Sequence, residues 1–160
     1  MNFKTTDLCD AHGERLRILQ PILRSFGGHR ACSGPIRTLK VFEDNALVRT
    51  TLSVPGNGQV LVVDGGGSLR CALVGDQIAQ LAVDNGWRGI LVWGCIRDSA
   101  QVATMPVCVY ALATHPLRSV KKGTGERDVP VTFGGITFVP GDHLYADEDG
   151  IVVSSTRLDG

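Results

Sequence analysis

The chain of 160 residues carries sixteen basic and sixteen acidic side chains, so its formal net charge at pH 7 is zero. This balance excludes the overall positive field that draws proteins to nucleic acid or to anionic membranes, and the sequence offers no basic patch beyond Lys121-Lys122. We therefore expect no direct contact with nucleic acid and no membrane binding. The length suits one domain, which we predict to span residues 1–160.

The first helices are predicted near the N-terminus. Apolar spacing between residues 5 and 24 indicates one or two short helices before Pro21. Residues 32–42 and 45–52 favour strands, and a short helix within them is the alternative. Residues 1–16 contain acids and no apolar secretion segment, and no stretch approaches the roughly 20 apolar residues of a membrane span. We expect a cytoplasmic protein.

A helix between two buried strands forms the centre of the predicted fold. The run VLVV at residues 60–63 has the continuous apolar character of a strand buried on both faces. Residues 76–84 follow with helical apolar spacing, and Asn85-Gly86 is a typical helix end. The strand GILVWGCI comes next, which completes a β-α-β unit with parallel pairing. Residues 107–154 then favour a series of β segments, so we predict an α/β fold with an extra β layer.

The glycine-rich turn VDGGGS occupies the place of a dinucleotide-binding loop, between a strand and a helix. Its glycines, Gly65 to Gly67, are consecutive, so the G-x-G-x-x-G spacing is absent and no Walker lysine follows. We interpret this segment as a tight backbone turn, with the wall of a ligand pocket as the alternative.

Charged residues mark both ends of the β-α-β unit. Asp76 opens the helix, and Arg97-Asp98 lies just past the carboxyl end of the following strand, where open α/β sheets usually bind ligands. Since the helix start and the strand end reach the same edge, the D-x20-R-D spacing is expected to bring the three side chains together. Arg97 can bind a carboxylate through two hydrogen bonds, and Asp98 can hold a hard divalent cation. The free backbone N–H groups of Gln77 and Ile78 would face an anion in the same cleft.

Each of these charged residues also has a simpler interpretation. Asp76 alone is compatible with a helix cap, and Arg97-Asp98 alone with a surface ion pair. Their joint placement favours a site for a small carboxylate and a metal ion.

Four segments of the chain resemble the RraA-like family. They are FEDNALVR, GQVLVVDGGGSLRCALVGD, NGWRGILVWGCIRD and VTFGGITFVPGDHLYADEDGIVVS, and the similarity covers roughly residues 5 to 155. The family includes RraA-type regulators of ribonuclease E and class II 4-hydroxy-4-methyl-2-oxoglutarate aldolases. The resemblance implies a swivelling β/β/α sandwich assembled as a ring-shaped homotrimer, with active sites at the subunit boundaries.

The same resemblance implies a role for each charged residue. Asp98 would ligate Mg²⁺ or Mn²⁺, Arg97 would bind the pyruvyl carboxylate and offset the enolate charge, and Asp76 would order metal-bound water. The substrate site would be formed by Gly75, Asp76, Gln77, Ile78 and Arg97. Longer aldolases of the family take a further acid from a neighbouring subunit, and no residue here matches it, so substrate preference stays open.

We therefore predict a divalent-metal-dependent lyase acting on a small 2-oxo acid. It would cleave 4-hydroxy-4-methyl-2-oxoglutarate and decarboxylate oxaloacetate, since both reactions pass through a pyruvate enolate. The alternative is a protein-binding regulator that inhibits ribonuclease E. A third activity associated with the family, a methyltransferase of menaquinone synthesis, is disfavoured because the chain lacks a convincing adenosylmethionine-binding glycine motif.

Other polar and aromatic residues are expected to be structural. The five cysteines lack the spacing of a zinc site, which predicts reduced and mostly buried thiols. The acids near residue 147 lack the spacing of a calcium loop and are expected to be turn residues. Structural or exposed positions are predicted for His12, His29, His115 and His143, and core or subunit-packing positions for Trp87 and Trp93.

Overall fold

A curled sheet of ten strands and a separate hairpin build the fold in the computed structural model, which describes residues 2–158. The helices are α1 (Thr5–His12), α2 (Ala46–Leu52), α3 (Asp76–Asp84) and α4 (Ser99–Val102), with a 3-10 turn at Gly13–Arg15. The strands are β1 (Arg17–Ile18), β2 (Arg24–Ser25), β3 (Cys32–Lys40), β4 (Val60–Asp64), β5 (Ala72–Val74), β6 (Gly89–Ile96), β7 (Cys108–Thr114), β8 (Glu126–Arg127), β9 (Val131–Phe133), β10 (Ile136–Phe138), β11 (His143–Asp147) and β12 (Gly150–Ser154).

The large sheet changes from antiparallel to parallel pairing along β3. The first half of β3 pairs antiparallel with β11, and its second half pairs parallel with β4. The spatial order is β1-β12-β11-β3-β4-β6-β7-β2, with β5 paired to β6 and β8 paired to β3. The edge strands β1 and β2 are joined only by residues 19–23. Because so few residues span at most about 20 Å, the two edges must lie close together and the sheet must curl.

Alternate residues of the parallel strands serve two hydrophobic cores. Leu61 and Val63 of β4 pack with the α2 and α3 face, whereas Val60 and Val62 pack against the β9-β10 hairpin. All four side chains are fully buried, which explains why the strand is apolar without alternation. The predicted α/β sandwich is confirmed.

The helix of the predicted β-α-β unit is α3, and it covers one face of the sheet. Its buried residues Ile78, Ala79 and Ala82 form the apolar stripe. Gly86, with φ of 76°, follows the helix end in the left-handed conformation that glycine adopts readily. This packing fixes the start of α3 relative to the end of β6.

The N-terminal segment differs in part from the prediction of helices up to Pro21. Only residues 5–15 are helical, and β1 and β2 follow as short edge strands. Main-chain pairing decides this outcome, since β1 pairs with β12 and β2 pairs with β7. Residues 45–52, in contrast, contain helix α2, so the short helix given as the alternative to a strand is the structure found there. In the chain from residue 2 to residue 158, no helix is long and apolar enough to cross a membrane.

Candidate active site

Three parallel strands end side by side at one edge of the sheet. Val74 of β5 pairs with Ile96 of β6, and Ile96 pairs with Thr114 of β7. The residues that come directly after these strand ends therefore meet at one edge, the usual position of a ligand site in a parallel sheet. They are Gly75 and Asp76 after β5, Arg97 and Asp98 after β6, and His115 after β7.

A hydrogen bond connects the two aspartate segments. The backbone N–H of Asp76 donates to Oδ2 of Asp98 at 3.2 Å, and the backbone N–H of Arg97 donates to the carbonyl of Val74 at 2.9 Å. Asp98 has a left-handed backbone conformation, with φ of 54° and ψ of 39°, which aspartate tolerates better than most residues. Such local strain is concentrated at functional sites, where the surrounding structure holds it in place.

Gly75 allows the carboxylate of Asp98 to approach the start of α3. A Cβ atom added at Gly75 would lie 2.8 Å from Oδ2 of Asp98 and 3.4 Å from Cγ of Arg97. The φ of Gly75 is −128°, so its backbone is extended and any residue could adopt it. Glycine therefore leaves room for the Asp98 carboxylate at this position, which the sequence pattern does not reveal.

The guanidinium of Arg97 is not neutralised by its neighbour. Among residues 2–158, Arg97 forms no ion pair and no side-chain hydrogen bond, so the interpretation of Arg97-Asp98 as a surface ion pair does not hold. The side chains of Asp76 and Asp98 accept only backbone N–H groups in the same part of the structure. A free guanidinium beside two carboxylates can bind an anion and a cation together.

The start of α3 differs from the expectation of two free amides. Gly75 occupies the N-cap position, and Asp76 is the first helical residue. Oδ1 of Asp76 accepts a hydrogen bond from the backbone N–H of Gln77 at 2.8 Å. Oε1 of Gln77 accepts a hydrogen bond from Nη2 of Arg49 at 3.2 Å. An anion that used the Gln77 amide would have to displace the Asp76 carboxylate, whereas the Ile78 amide has no such competitor among the side chains described.

These residues surround a small cleft of about 90 Å³. The strands and α3 contribute Ala72, Val74, Gly75, Asp76, Gln77, Ile78, Arg97 and Asp98, and the sequence reasoning missed Asn45, Arg49, Arg118 and Lys121. The cleft is thus lined by four cationic and two anionic side chains, a surplus of two positive charges. This surplus favours an anionic ligand.

Asp44 fixes the loop that brings Lys121 to the cleft. Its buried carboxylate accepts the backbone N–H groups of Lys122 and Thr124 at 3.1 and 3.0 Å, and that of Ala46 at 3.1 Å. Burial acts to raise the pKa of Asp44, but these backbone hydrogen bonds outweigh it, so the pKa is lowered. Asp44 therefore stays ionised and joins the loop to the start of α2.

Asn45 forms a wall of the cleft. Its Nδ2 donates to the carbonyl of Leu73 at 3.2 Å, while its buried Oδ1 has no hydrogen-bond partner in the described part of the chain. A buried acceptor without a partner is costly. In the sequence, Asn45 is distinguished only by its position just before a predicted helix. Asparagine is common at such positions, so this position did not identify Asn45 as a site residue.

A second cavity, of about 210 Å³, is also lined by Arg97 and Asp98. Ser99, Thr114, His115 and Pro116 complete its walls. His115 is half-buried, and its Nδ1 accepts the backbone N–H of Leu117, which agrees with the expected structural role; its position at this edge of the sheet was not predicted. The sequence feature that could have placed His115 at this edge is its position directly after the strand VCVYALAT, because that strand pairs with the strand that precedes Arg97.

A larger cavity lies elsewhere. It measures about 540 Å³ and is bordered by Gly34, Gly58 and Arg88, near the amino ends of β4 and β6. Parallel sheets bind their ligands at the carboxyl ends of strands, so size alone does not identify the functional site here. We assign the candidate active site to the edge that holds Asp76, Arg97 and Asp98.

Three of the other predicted features are structural. The triple-glycine turn packs against its own chain, since added Cβ atoms at Gly66 and Gly67 would meet Phe42 and Trp93. Trp87 is buried and donates to the carbonyl of Val54 at 2.9 Å, and Trp93 stacks on Phe133. Four of the five cysteines are buried free thiols, as predicted.

A family model described as Aldolase/RraA, RraA-like, matches residues 5–153. The chain belongs to the RraA-like family. A relative from Aromatoleum aromaticum is 61% identical over 99% of both chains and carries the provisional name 4-hydroxy-4-methyl-2-oxoglutarate aldolase. The fold and the predicted family are therefore shown.

Solved structures of RraA-like proteins carry other functional names. The RNA-processing inhibitor RraA from Thermus thermophilis is 46% identical, with a TM-score of 0.96 over 100% of this chain and 97% of that one. A protein from Geobacillus kaustophilus named S-adenosylmethionine: 2-dimethylmenaquinone methyltransferase is 48% identical, with a TM-score of 0.94 over 99% of this chain and 100% of that one. One fold thus carries three functional names, so function has to be argued from the site.

Proposed function

We propose that this RraA-like protein is a divalent-metal-dependent pyruvyl lyase. It would cleave 4-hydroxy-4-methyl-2-oxoglutarate to two pyruvates and decarboxylate oxaloacetate. The observation that carries the proposal is the placement of an unpaired Arg97 beside the carboxylates of Asp76 and Asp98 at the carboxyl edge of three parallel strands. The name of the 61% identical relative supports the aldolase activity.

Arg97 is proposed to bind the carboxylate of the pyruvyl unit. Its guanidinium can form two parallel hydrogen bonds with a carboxylate, and none of its N–H groups is engaged by another side chain within residues 2–158. The same positive charge lies where the enolate develops, so it would stabilise the transition state more than the ground state. Lys121 and Asn45, at the wall of the cleft, would hold the substrate against Arg97.

The donors present fit a hard cation that is held mainly by substrate and water. No group of three His, Cys, Asp or Glu side chains able to hold a metal occurs in the described chain, which argues against a closed protein cage. Mg²⁺ commonly binds through one or two carboxylates together with substrate and several waters, and Asp98 and Asp76 offer that donor set. When bound, such a cation supplies Lewis-acid polarisation of the 2-keto group.

Both reactions break the bond between C3 and C4 of the substrate. In the retro-aldol reaction, the C4 hydroxyl loses its proton, the C3–C4 electron pair moves into the pyruvate enolate, and C3 then gains a proton. In the decarboxylation, C4 departs as CO₂, the C3–C4 electron pair moves into the same pyruvate enolate, and C3 then gains a proton. Asp76 would orient the water that carries these protons, since Asp76 and Asp98 line the same cleft.

Pyruvate release provides the direct test of this function. Purified protein would be treated with excess chelator and assayed with each substrate before and after Mg²⁺ or Mn²⁺ is added back. We expect turnover only with the metal. Absence of metal-dependent turnover on both substrates would refute the lyase proposal.

Exposed apolar side chains beside the site support contact with a neighbouring subunit, as the proposed homotrimer requires. Phe42, Leu69, Leu117 and Val120 are each more than half exposed. Two of them lie beside the surface pair of Glu43 and Arg70, because the Val120 N–H donates to the Glu43 carbonyl and Arg70 lies over the Phe42 ring. Contiguous exposed apolar groups mark protein interfaces. A neighbouring subunit on this surface would close the cleft at Arg118 and Lys121, and a solution mass near that of a monomer would contradict the assembly.

Inhibition of ribonuclease E is the second candidate function. The 46% identical structure named RNA-processing inhibitor RraA favours it. Such a role would use the protein surface and would not need Arg97 or Asp98. Binding and slowing of a ribonuclease E homologue by Asp98→Asn protein would support this role, and the absence of both effects with wild-type protein would exclude it.

A further inference from the structure

Two cavities border the groups proposed to bind substrate. The cleft of about 90 Å³ is lined by Asp76, Arg97 and Asp98, the groups proposed to bind the pyruvyl unit. 4-Hydroxy-4-methyl-2-oxoglutarate contains the equivalent of two pyruvates, so its half beyond C3 needs a binding surface of its own.

The second cavity, of about 210 Å³, has Arg97 and Asp98 in common with the first. It lies where β6 and β7 end, because the backbone N–H of His115 donates to the carbonyl of Ile96 at 2.9 Å. A ligand bound at Arg97 and Asp98 would therefore lie beside both cavities. Ser99 and Thr114 contribute hydroxyl groups to the second cavity, and His115 contributes its ring.

The ring of His115 is held in one orientation by its own turn. Its Nδ1 accepts the backbone N–H of Leu117 at 3.1 Å. This hydrogen bond assigns the proton of the neutral imidazole to Nε2. Nε2 has no hydrogen-bond partner among the residues from 2 to 158, so its N–H is available to a ligand.

We propose that the second cavity binds the half of the substrate that departs, and that Nε2–H of His115 donates to the carboxylate of that half. The inference rests on the proposed lyase function and assigns a residue to the second carboxylate of its substrate. His115 is then a specificity-determining residue. It holds the departing pyruvate while Arg97 holds the pyruvyl unit that becomes the enolate.

The variant His115→Asn distinguishes the role of His115 as a hydrogen-bond donor to the ligand from its role in the turn. Asparagine side chains commonly accept the backbone N–H two residues ahead, so Oδ1 would replace Nδ1 as the acceptor for Leu117. The variant keeps the turn and removes the Nε2 donor. His29→Asn is the matched control, because His29 is exposed and only its backbone is bonded in the described structure.

The experiment compares kcat/KM for 4-hydroxy-4-methyl-2-oxoglutarate and for oxaloacetate, whose departing group is only CO₂. We expect His115→Asn to lower the first value by about 10- to 100-fold, the usual effect of losing a hydrogen bond to a charged group, mainly through a higher KM. The second value should change by less than about threefold. Inhibition by pyruvate, which occupies the first cleft, should be unchanged, and His29→Asn should match wild type in every respect.

Several results would overturn the inference. Equal losses of kcat/KM on both substrates in His115→Asn would show that His115 has a general structural role. No loss of kcat/KM on either substrate would show that His115 does not contact the substrate. Wild-type turnover of oxaloacetate without cleavage of the larger substrate would exclude the second cavity as a substrate site and leave the lyase function standing. Wild-type inactivity on both substrates would instead refute the lyase function itself.

Discussion

Replacing Gly75 with alanine should reduce activity without reducing stability. The added Cβ would lie 2.8 Å from Oδ2 of Asp98, whereas ordinary contact begins at 3.4 Å, so the carboxylate must retreat by about 0.6 Å. That oxygen accepts the Asp76 N–H at 3.2 Å, and the shift would break this bond. Since a displacement of about 1 Å in a catalytic group can cost about 100-fold, we expect kcat/KM to fall roughly tenfold or more.

The folding of the Gly75→Ala variant should be close to normal. The backbone at Gly75 is extended, with φ of −128° and ψ of −164°, so alanine fits without strain. The atom that must move is the end of a side chain. We therefore expect the free energy of unfolding, measured by urea denaturation, to change by less than about 1 kcal/mol.

Two other glycines provide controls for this experiment. Gly150 has open space around an added Cβ, so Gly150→Ala should leave both activity and stability unchanged. Gly86 also has open space but a φ of 76°, so Gly86→Ala should lose about 1 kcal/mol of stability and keep its activity. Wild-type kcat/KM in Gly75→Ala, or an equal activity loss in Gly150→Ala, would refute the argument from close approach.

Two further predictions concern buried titratable groups. The pKa of Asp44 is lowered below its ordinary 3.8 in the folded state, so its contribution to stability is complete above about pH 4 and is lost as pH falls through the lowered value. Asp44→Asn should cost about 1–3 kcal/mol in urea denaturation at pH 7 and should flatten the loss of stability below pH 4; an unchanged pH dependence would contradict this. Burial raises the pKa of the thiols of Cys71 and Cys95, so iodoacetamide at pH 8 should label the half-buried Cys9 first in the native protein and all five cysteines after unfolding, as read by mass spectrometry. Rapid native labelling of Cys71 or Cys95 would show that these thiols are less protected than the structure indicates.

Local sequence patterns predicted the centre of the fold well. The apolar run at residues 60–63 and the helical spacing after Asp76 correspond to β4 and α3, because both elements are buried by the packing that selects such patterns. The short strands β1 and β2 were missed, since two-residue strands depend on distant pairing partners and have no periodicity of their own.

The candidate site was predictable only where residues follow strand ends. Asp76, Arg97 and Asp98 could be placed at one edge because the β-α-β topology dictates it. Asn45 and Arg118 reach the cleft from segments whose position depends on the long-range bonds of Asp44 and of Leu117. The need for glycine at position 75 depends on a single close contact, which no local pattern shows.

Metal-dependent release of pyruvate in wild type and in Asp98→Asn tests the central claim most directly. Asparagine tolerates the left-handed conformation of position 98, with φ of 54°, so the variant should fold while losing the carboxylate. With Mg²⁺ present, we expect wild-type protein and the exposed-site control Asp10→Ala to release pyruvate from 4-hydroxy-4-methyl-2-oxoglutarate, and Asp98→Asn to be slower by at least about 100-fold. Equal rates in wild type and Asp98→Asn, or wild-type turnover that excess chelator does not affect, would contradict the account.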